Sequence, residues 1–181
     1  MTDGPGKRII EAVGFLGVVG SLIFVGLEVR QNSIAIRSET NASVAQAFQT
    51  HNMMMASVPE LAAAWSRNAV SPETASPEDA FQLAALWRSL FHVWSNAHRQ
   101  HLNGTLDPSI YASVVQEVTL YAGASRPSGS DESVAIWAGD ATLTRHFLWA
   151  WKGNRYAFNP EFRSFIDGII DGNHEVIGPA K

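Results

Sequence analysis

The side chains best suited to chemistry in this chain are its six histidines: His51, His92, His98, His101, His146 and His174. His98 and His101 are three residues apart, so on a helix they share a face and could both reach one metal ion. His92 falls six before His98, roughly one helix face away. A ferritin-like dimetal site takes Glu-x-x-His pairs from two helices plus further glutamates. The residues three before His92, His98 and His101 are Ser89, Ser95 and His98, so that pattern is missing. The histidines read more simply as polar residues toward a helix C-terminus, where the helix dipole favours them.

Other reactive arrangements are also absent. The chain has no G-x-S-x-G, no P-loop, no G-x-G-x-x-G and no H-E-x-x-H. It contains no cysteine, which excludes disulfides, thiolate catalysis, Cys-ligated zinc and iron–sulfur clusters. The carboxylate pair Glu78-Asp79 sits where a helix start is expected, and Asp131-Glu132 lies in a polar loop. Arg163, with Glu161 and Asp167, has the spacing of an ion pair holding the last helix. No catalytic, cofactor-binding or metal residue is assigned, and no cofactor is expected. An aromatic group, Phe147, Trp149, Trp151, Tyr156 and Phe158, crowds next to Lys152 and Arg155. It suits either a helical core or a belt at a membrane interface. Trp149 and Trp151 are about 200° apart on a helix, so one can serve each role.

The charge balance excludes one partner class. Lys and Arg number 13 against 17 Asp and Glu, a net charge of −4. A mildly acidic chain is poorly matched to a phosphate backbone, so no nucleic-acid partner is expected.

The element that would place this chemistry in the cell is N-terminal. Residues 12–27 read AVGFLGVVGSLIFVGL without a charge, flanked by Glu11 and Glu28. A helix from Ile9 to Val29 would be about 31 Å long, close to a bilayer's hydrocarbon thickness. The segment reads as a single membrane span. The alternatives are a buried helix of a soluble bundle and a cleaved signal peptide. Gly14, Gly17 and Ser21 share a face and suggest helix–helix contact in the membrane, hence a homo-oligomer. Lys7 and Arg8 at one end balance Arg30 and Arg37 at the other, so the positive-inside rule leaves the orientation open.

The rest reads as all-α. No Gly or Pro interrupts residues 27–57, so the anchor can continue as one long helix with a weak stripe at Ile34, Val44, Phe48 and Met55. Met53-Met54-Met55 straddle the edge of that stripe. Pro59-Glu60 starts a short helix to about Asn68. A loop with two prolines follows at 70–77. Ser76-Pro77, Asp107-Pro108 and Asn159-Pro160 each mark a further helix start. In the first of these helices Leu83, Trp87, Leu90, Trp94 and Ala97 form the apolar face, with Phe91 beside them. Asn103-Gly104 ends it, and the short turn to Asp107 predicts antiparallel neighbours. Ile110, Val114, Val118 and Tyr121 face inward from the next. Residues 124–133 are a loop, Val134–Trp137 an apolar turn and Thr142–Trp151 a helix. Phe162, Phe165, Ile166 and Ile169 are the inward side of the last helix, which Gly172 ends. The expected organisation is flank and anchor at 1–29, a helical domain at 30–172 and a tail at 173–181.

Three stretches carry a resemblance. LEVRQNS at 27–33 follows the apolar helix, WSNAH at 94–98 and LNGTLD at 102–107 lie mid-chain, and NPEFRSFID at 159–167 lies near the end. Together, in this order, they resemble a large family of uncharacterised bacterial small proteins. Its members have one N-terminal membrane helix ending in V/I-R-Q-N-T/S and a closing P-E-F-R-x-F-I/V-D helix. Ser95 stands where the family pattern has an acid, and residues 124–140 are longer and more polar than that pattern. The resemblance implies a single-pass protein of the bacterial inner membrane with a helical body, and it implies no catalytic residue. Three functional expectations follow. The first is a non-enzymatic, membrane-anchored scaffold or regulatory subunit acting through protein contacts. The second is a sensory or ligand-binding domain with an apolar pocket at Trp87, Phe91 and Trp94. The third and least favoured is a metal-dependent enzyme using His98 and His101.

Overall fold

The computed structural model describes residues 5–123 and 141–172. The expected loop at 124–133, the apolar turn at Val134–Trp137, the Asp131-Glu132 pair, His174 and the tail all lie outside the described residues, as do the side chains of Lys7 and Arg8. Among the described residues there are six α-helices and no strand: α1 Pro5–Ser57, α2 Pro59–Arg67, α3 Pro77–Leu102, α4 Pro108–Tyr121, α5 Ala141–Asn154 and α6 Pro160–Ile170. Two 3-10 turns, Pro72–Thr74 and Arg155–Ala157, complete the chain order. The all-α expectation is met. The anchor segment and residues 30–57 form one helix, as an uninterrupted run without Gly or Pro after Leu27 permits.

The chain divides into two units, residues 1–39 and 40–181. The described part of the first lies wholly within α1. Its large apolar side chains from Val13 to Val29 are mostly exposed: Phe15 is 69% exposed and Phe24 62%. Ile34, expected on the packed stripe, is exposed too; the stripe begins at Val44, which is fully buried.

The second unit is a helical bundle built on α3. Local chemistry sets its boundaries. Ser76 Oγ accepts from the Asp79 amide at 3.2 Å, the Asp107 carboxylate from the Ser109 amide at 2.8 Å, and Asn159 Oδ1 from the Phe162 amide at 2.8 Å. Each caps a helix whose first residue is proline. At the other end of α4, Gly123 has φ +71°, and a Cβ there would lie 2.9 Å from Thr144 Oγ1. Glycine is thus required both for the left-handed turn and for the close approach of α5.

The apolar face of α3 is buried as its spacing predicts: Leu83, Trp87, Leu90, Phe91, Trp94 and Ala97. Phe91 is the centre, with ring contacts to Trp87, Trp94, Phe147, Trp151 and Phe158 at 5.2–6.0 Å. Trp94 Nε1 donates to Glu117 at 2.9 Å, and His98 Nδ1 lies 2.7 Å from the Tyr111 hydroxyl. Positions that rise along α3 pair with positions that fall along α4, so the two helices are antiparallel. On α4 the buried face is Tyr111, Val114 and Val118, with Ile110 and Tyr121 half-buried at its flanks. All four inward residues predicted for α6 are buried.

Candidate functional site

Four groups of residues bear on function: the exposed part of α1, a polar cluster joining α2, α3 and α5, the histidine pair at the end of α3, and a cavity in the second unit.

Gly14 and Gly17 lie exposed on α1, and a side chain built at either would meet nothing within 4 Å. Ser21 is exposed as well. The small-residue face is therefore open for another helix to approach. The 45 residues Val13–Ser57 include a window apolar enough to cross a membrane, and none of that window is buried.

The polar cluster is centred on Asp79. Its carboxylate takes two hydrogen bonds from Arg67, at 2.6 and 3.0 Å, and one from Asn68 Nδ2 at 2.8 Å. These donors hold its pKa below the usual carboxylate value, the Arg67 bond contributing most. The expectation that Glu78 and Asp79 serve only the helix dipole is thus incomplete, because Asp79 also pins α2 to α3. Asn68 continues the cluster: its carbonyl oxygen lies 2.8 Å from His146 Nε2 on α5. A carbonyl only accepts, so Nε2 carries the proton, and in the neutral ring Nδ1 is a buried lone pair with no hydrogen-bond partner among the described residues. Burial, above all, lowers the pKa of His146. Its ring stacks on Trp65 at 4.5 Å.

His98 and His101 are directed to aromatic rings. The His98 ring stacks on Phe165 at 4.5 Å, and the His101 ring lies parallel to Tyr111 at 3.7 Å. Among the described residues no group of three or more His, Asp or Glu side chains is placed to hold a metal ion.

Two expectations at the C-terminal end are corrected. Asp167 pairs with Arg155 at 2.5 Å and accepts from Trp151 Nε1 at 2.8 Å. Arg163 is not its partner, and the buried Arg163 Nε has none among the described residues. The i,i+4 spacing lost to two donors from the preceding segment. Trp151 is 3% exposed and belongs to the core, so it leaves the proposed interfacial pair. Trp149 is half-buried and borders a shallow surface hollow with Arg145 and Lys152.

A cavity of about 520 Å³ lies among α1, α2 and α3, with Tyr121 and Leu143 completing its wall. Trp87 lines it, beside Trp65, Met55 and Leu90. Phe91 and Trp94, expected in the same pocket, are instead fully buried behind it in the core. Their extra inward rotation on α3 places them against α4 and α5. Sequence reasoning missed the opposite wall, which comes from His51, Asn52 and Met55 on α1. Their only signal was the weak apolar stripe that includes Met55. His51 Nδ1 is 2.7 Å from Ser89 Oγ, and Ser89 Oγ also reaches the Leu86 carbonyl at 3.0 Å. Burial lowers the His51 pKa, which favours the neutral ring. Tyr121, on the far side, has its pKa pushed up to about 12 by burial and by the charge of Glu117. Such a hollow can receive an uncharged molecule. The chain matches no protein-family model, no curated protein and no solved structure.

Proposed function

We propose that this chain is a single-pass membrane protein, anchored by residues 13–29 of α1 and presenting a non-enzymatic helical domain that works through contacts. The observation that carries the reading is the exposure of α1. Ten large apolar side chains between Val13 and Val29 stand 50–69% exposed, and residues 12–27 carry no charge. In water that arrangement is unfavourable by roughly 25 cal/mol for each Å² of apolar surface left wet, and in a bilayer it is not. The unbroken run of α1 through Leu27–Ser33 supports a retained anchor over a cleaved leader. The resemblance to the bacterial membrane-helix family supports an inner-membrane location. The open face at Gly14, Gly17 and Ser21 supports self-association in the membrane.

The test is fractionation with a carbonate wash, comparing the full chain with a version lacking residues 1–29. The full chain is expected to stay with membranes and the shortened one to be released with its helical spectrum intact. A full chain released by carbonate overturns the anchor. Gly17→Ile is expected to reduce crosslinked dimer in membranes, and unchanged crosslinking removes the oligomer.

A second reading rests on the cavity. Its volume falls within the range of small-molecule sites, about 300–1,000 Å³. It favours a body that binds a ligand over one that serves only as a scaffold.

A further inference from the structure

We propose that the cavity between α1 and α3 is a binding site for a neutral, flat aromatic molecule carrying one hydrogen-bonding group, which His51 recognises. The inference rests on the ligand-binding reading given above and names the chemistry of the ligand.

Three observations select the class. First, among the described residues the lining holds no Asp, Glu, Lys or Arg. A charged ligand would leave water without meeting a counter-ion, and an unpaired buried charge is strongly disfavoured. Second, the wall is aromatic. The Trp65 and Trp87 rings stand 6.0 Å apart at 37°, and Trp87 meets Tyr121 edge-on at 5.5 Å. Planar rings gain from such surfaces beyond the area they bury. Third, one polar side chain of the lining is held in place. The 2.7 Å contact between Ser89 Oγ and Nδ1 fixes the His51 ring. Whichever atom supplies that proton, Nε2 remains as the ring's second hydrogen-bonding atom. When the Ser89 proton goes to the Leu86 carbonyl, Nδ1 donates to Ser89 and Nε2 is an acceptor suited to a hydroxyl or N–H. The exposed residues of the lining are Asn52, Ala62 and Ser66, the last two one helical turn apart on α2, and the opening to solvent is assigned beside them.

The test uses the full chain in lipid nanodiscs and measures saturable heat of binding above empty nanodiscs. The probes are 2-naphthol, its methyl ether, and 2-naphthoate, which share one ring system and differ in hydrogen bonding and charge. Expected is saturable binding of 2-naphthol and of the ether, with none for 2-naphthoate. Ala62→Trp closes the entrance and is expected to abolish binding while helix content and cooperative melting are retained. If that variant fails to fold, Ser66→Phe closes the same entrance from the next turn. His51→Phe keeps the ring shape and is expected to weaken 2-naphthol about tenfold, one net hydrogen bond, while leaving the ether unchanged. Binding of 2-naphthoate equal to that of 2-naphthol, still lost on closing the entrance, overturns the neutral class and leaves the ligand reading standing. Binding that survives a closed entrance places the molecule elsewhere and overturns the site. No saturable binding of any probe overturns both.

Discussion

Residues 13–29 of α1 and residues 77–102 of α3 are both rich in large apolar side chains, yet the structure treats them in opposite ways. In α3 the apolar residues are interleaved with Glu78, Gln82, Arg88, Asn96 and Arg99, so they form one stripe, and that stripe is buried. In α1 nothing charged interrupts residues 12–27, and the large apolar side chains from Val13 to Leu27 are mostly exposed. A helix with one apolar stripe needs a partner on one side. A helix apolar on every side calls for burial all round, in a larger protein core or in a membrane. The number of apolar residues does not separate core from anchor; the placement of polar ones does.

Phenylalanine supplies the sharpest way to break that comparison, because both regions contain it. Phe91 is 0% exposed and at the centre of the aromatic core, while Phe24 is 62% exposed. Phe91→Ala is expected to destabilise the second unit by about 3–5 kcal/mol, the usual range for a buried Phe truncated to Ala. Phe24→Ala is expected to change it by less than about 0.5 kcal/mol. Denaturant melts of the full chain in one detergent, followed by near-ultraviolet circular dichroism, report both. Equal losses would mean that Phe24 packs in a protein core.

A charge tests the same contrast from the other side. Leu22 is exposed in the middle of the apolar run, and Leu90 is buried in α3. Leu22→Arg is expected to disfavour membrane insertion by about 2.5–3.5 kcal/mol, with a matching fall in the carbonate-resistant fraction. The folded body should be unaffected. Leu90→Arg should do the reverse, with membrane retention kept and the cooperative transition lost. Retention of Leu22→Arg at the wild-type level would contradict a lipid-facing position.

What was legible in the sequence was local. Ser76-Pro77, Asp107-Pro108 and Asn159-Pro160 state their helix starts within three residues, and all three are caps in the structure. The face of α3 was legible because nine of its side chains obey one period and are buried. The face of α4 was legible at Val114 and Val118 but not in its first turn, where Tyr111 is buried and Ile110 half-buried because the Tyr111 hydroxyl meets His98, a partner on another helix. Asp167 was misread for the same reason: its donors Trp151 and Arg155 come from outside its own helix. The cavity was half legible. Trp87 was identified, but a hollow is a place where packing fails to close. That depends on where α1 and α2 lie, and periodicity within α3 carries no information about them.

Glu117 gives a smaller effect and asks whether the core tolerates a polar group only when it is partnered. Burial raises the Glu117 pKa, and the bond from Trp94 works against that rise. For an acid whose folded pKa is raised, its stabilising contribution is present below the unfolded value and is lost as pH rises through the folded one. Glu117→Ala strands the buried Trp94 N–H and is expected to destabilise by about 1–3 kcal/mol. Glu117→Gln keeps an acceptor and removes the buried charge, so at pH 7 it should match or exceed the wild type in melting temperature. Equal losses from both variants would mean that the carboxylate charge itself stabilises the core.

The smallest effect expected is a pH dependence confined to the second unit, where His146 is enclosed. Its Nε2 proton is held by the Asn68 carbonyl, and burial of the ring disfavours the charged form more than the neighbouring carbonyls and Glu73 favour it. The folded pKa is therefore below the ordinary 6.5, and the unfolded chain takes up the proton first as pH falls. The stabilisation is complete above the unfolded value and declines as pH drops below it. The slope from one such group is at most about 1.4 kcal/mol per pH unit. His51 and His101 are shifted in the same direction, so they add to the same window. His146→Gln should flatten the loss of stability below pH 6.5 without abolishing it, as measured by urea melts between pH 7.5 and 5 at constant ionic strength. An unchanged slope would mean that the folded state accommodates the second proton as readily as the unfolded chain does.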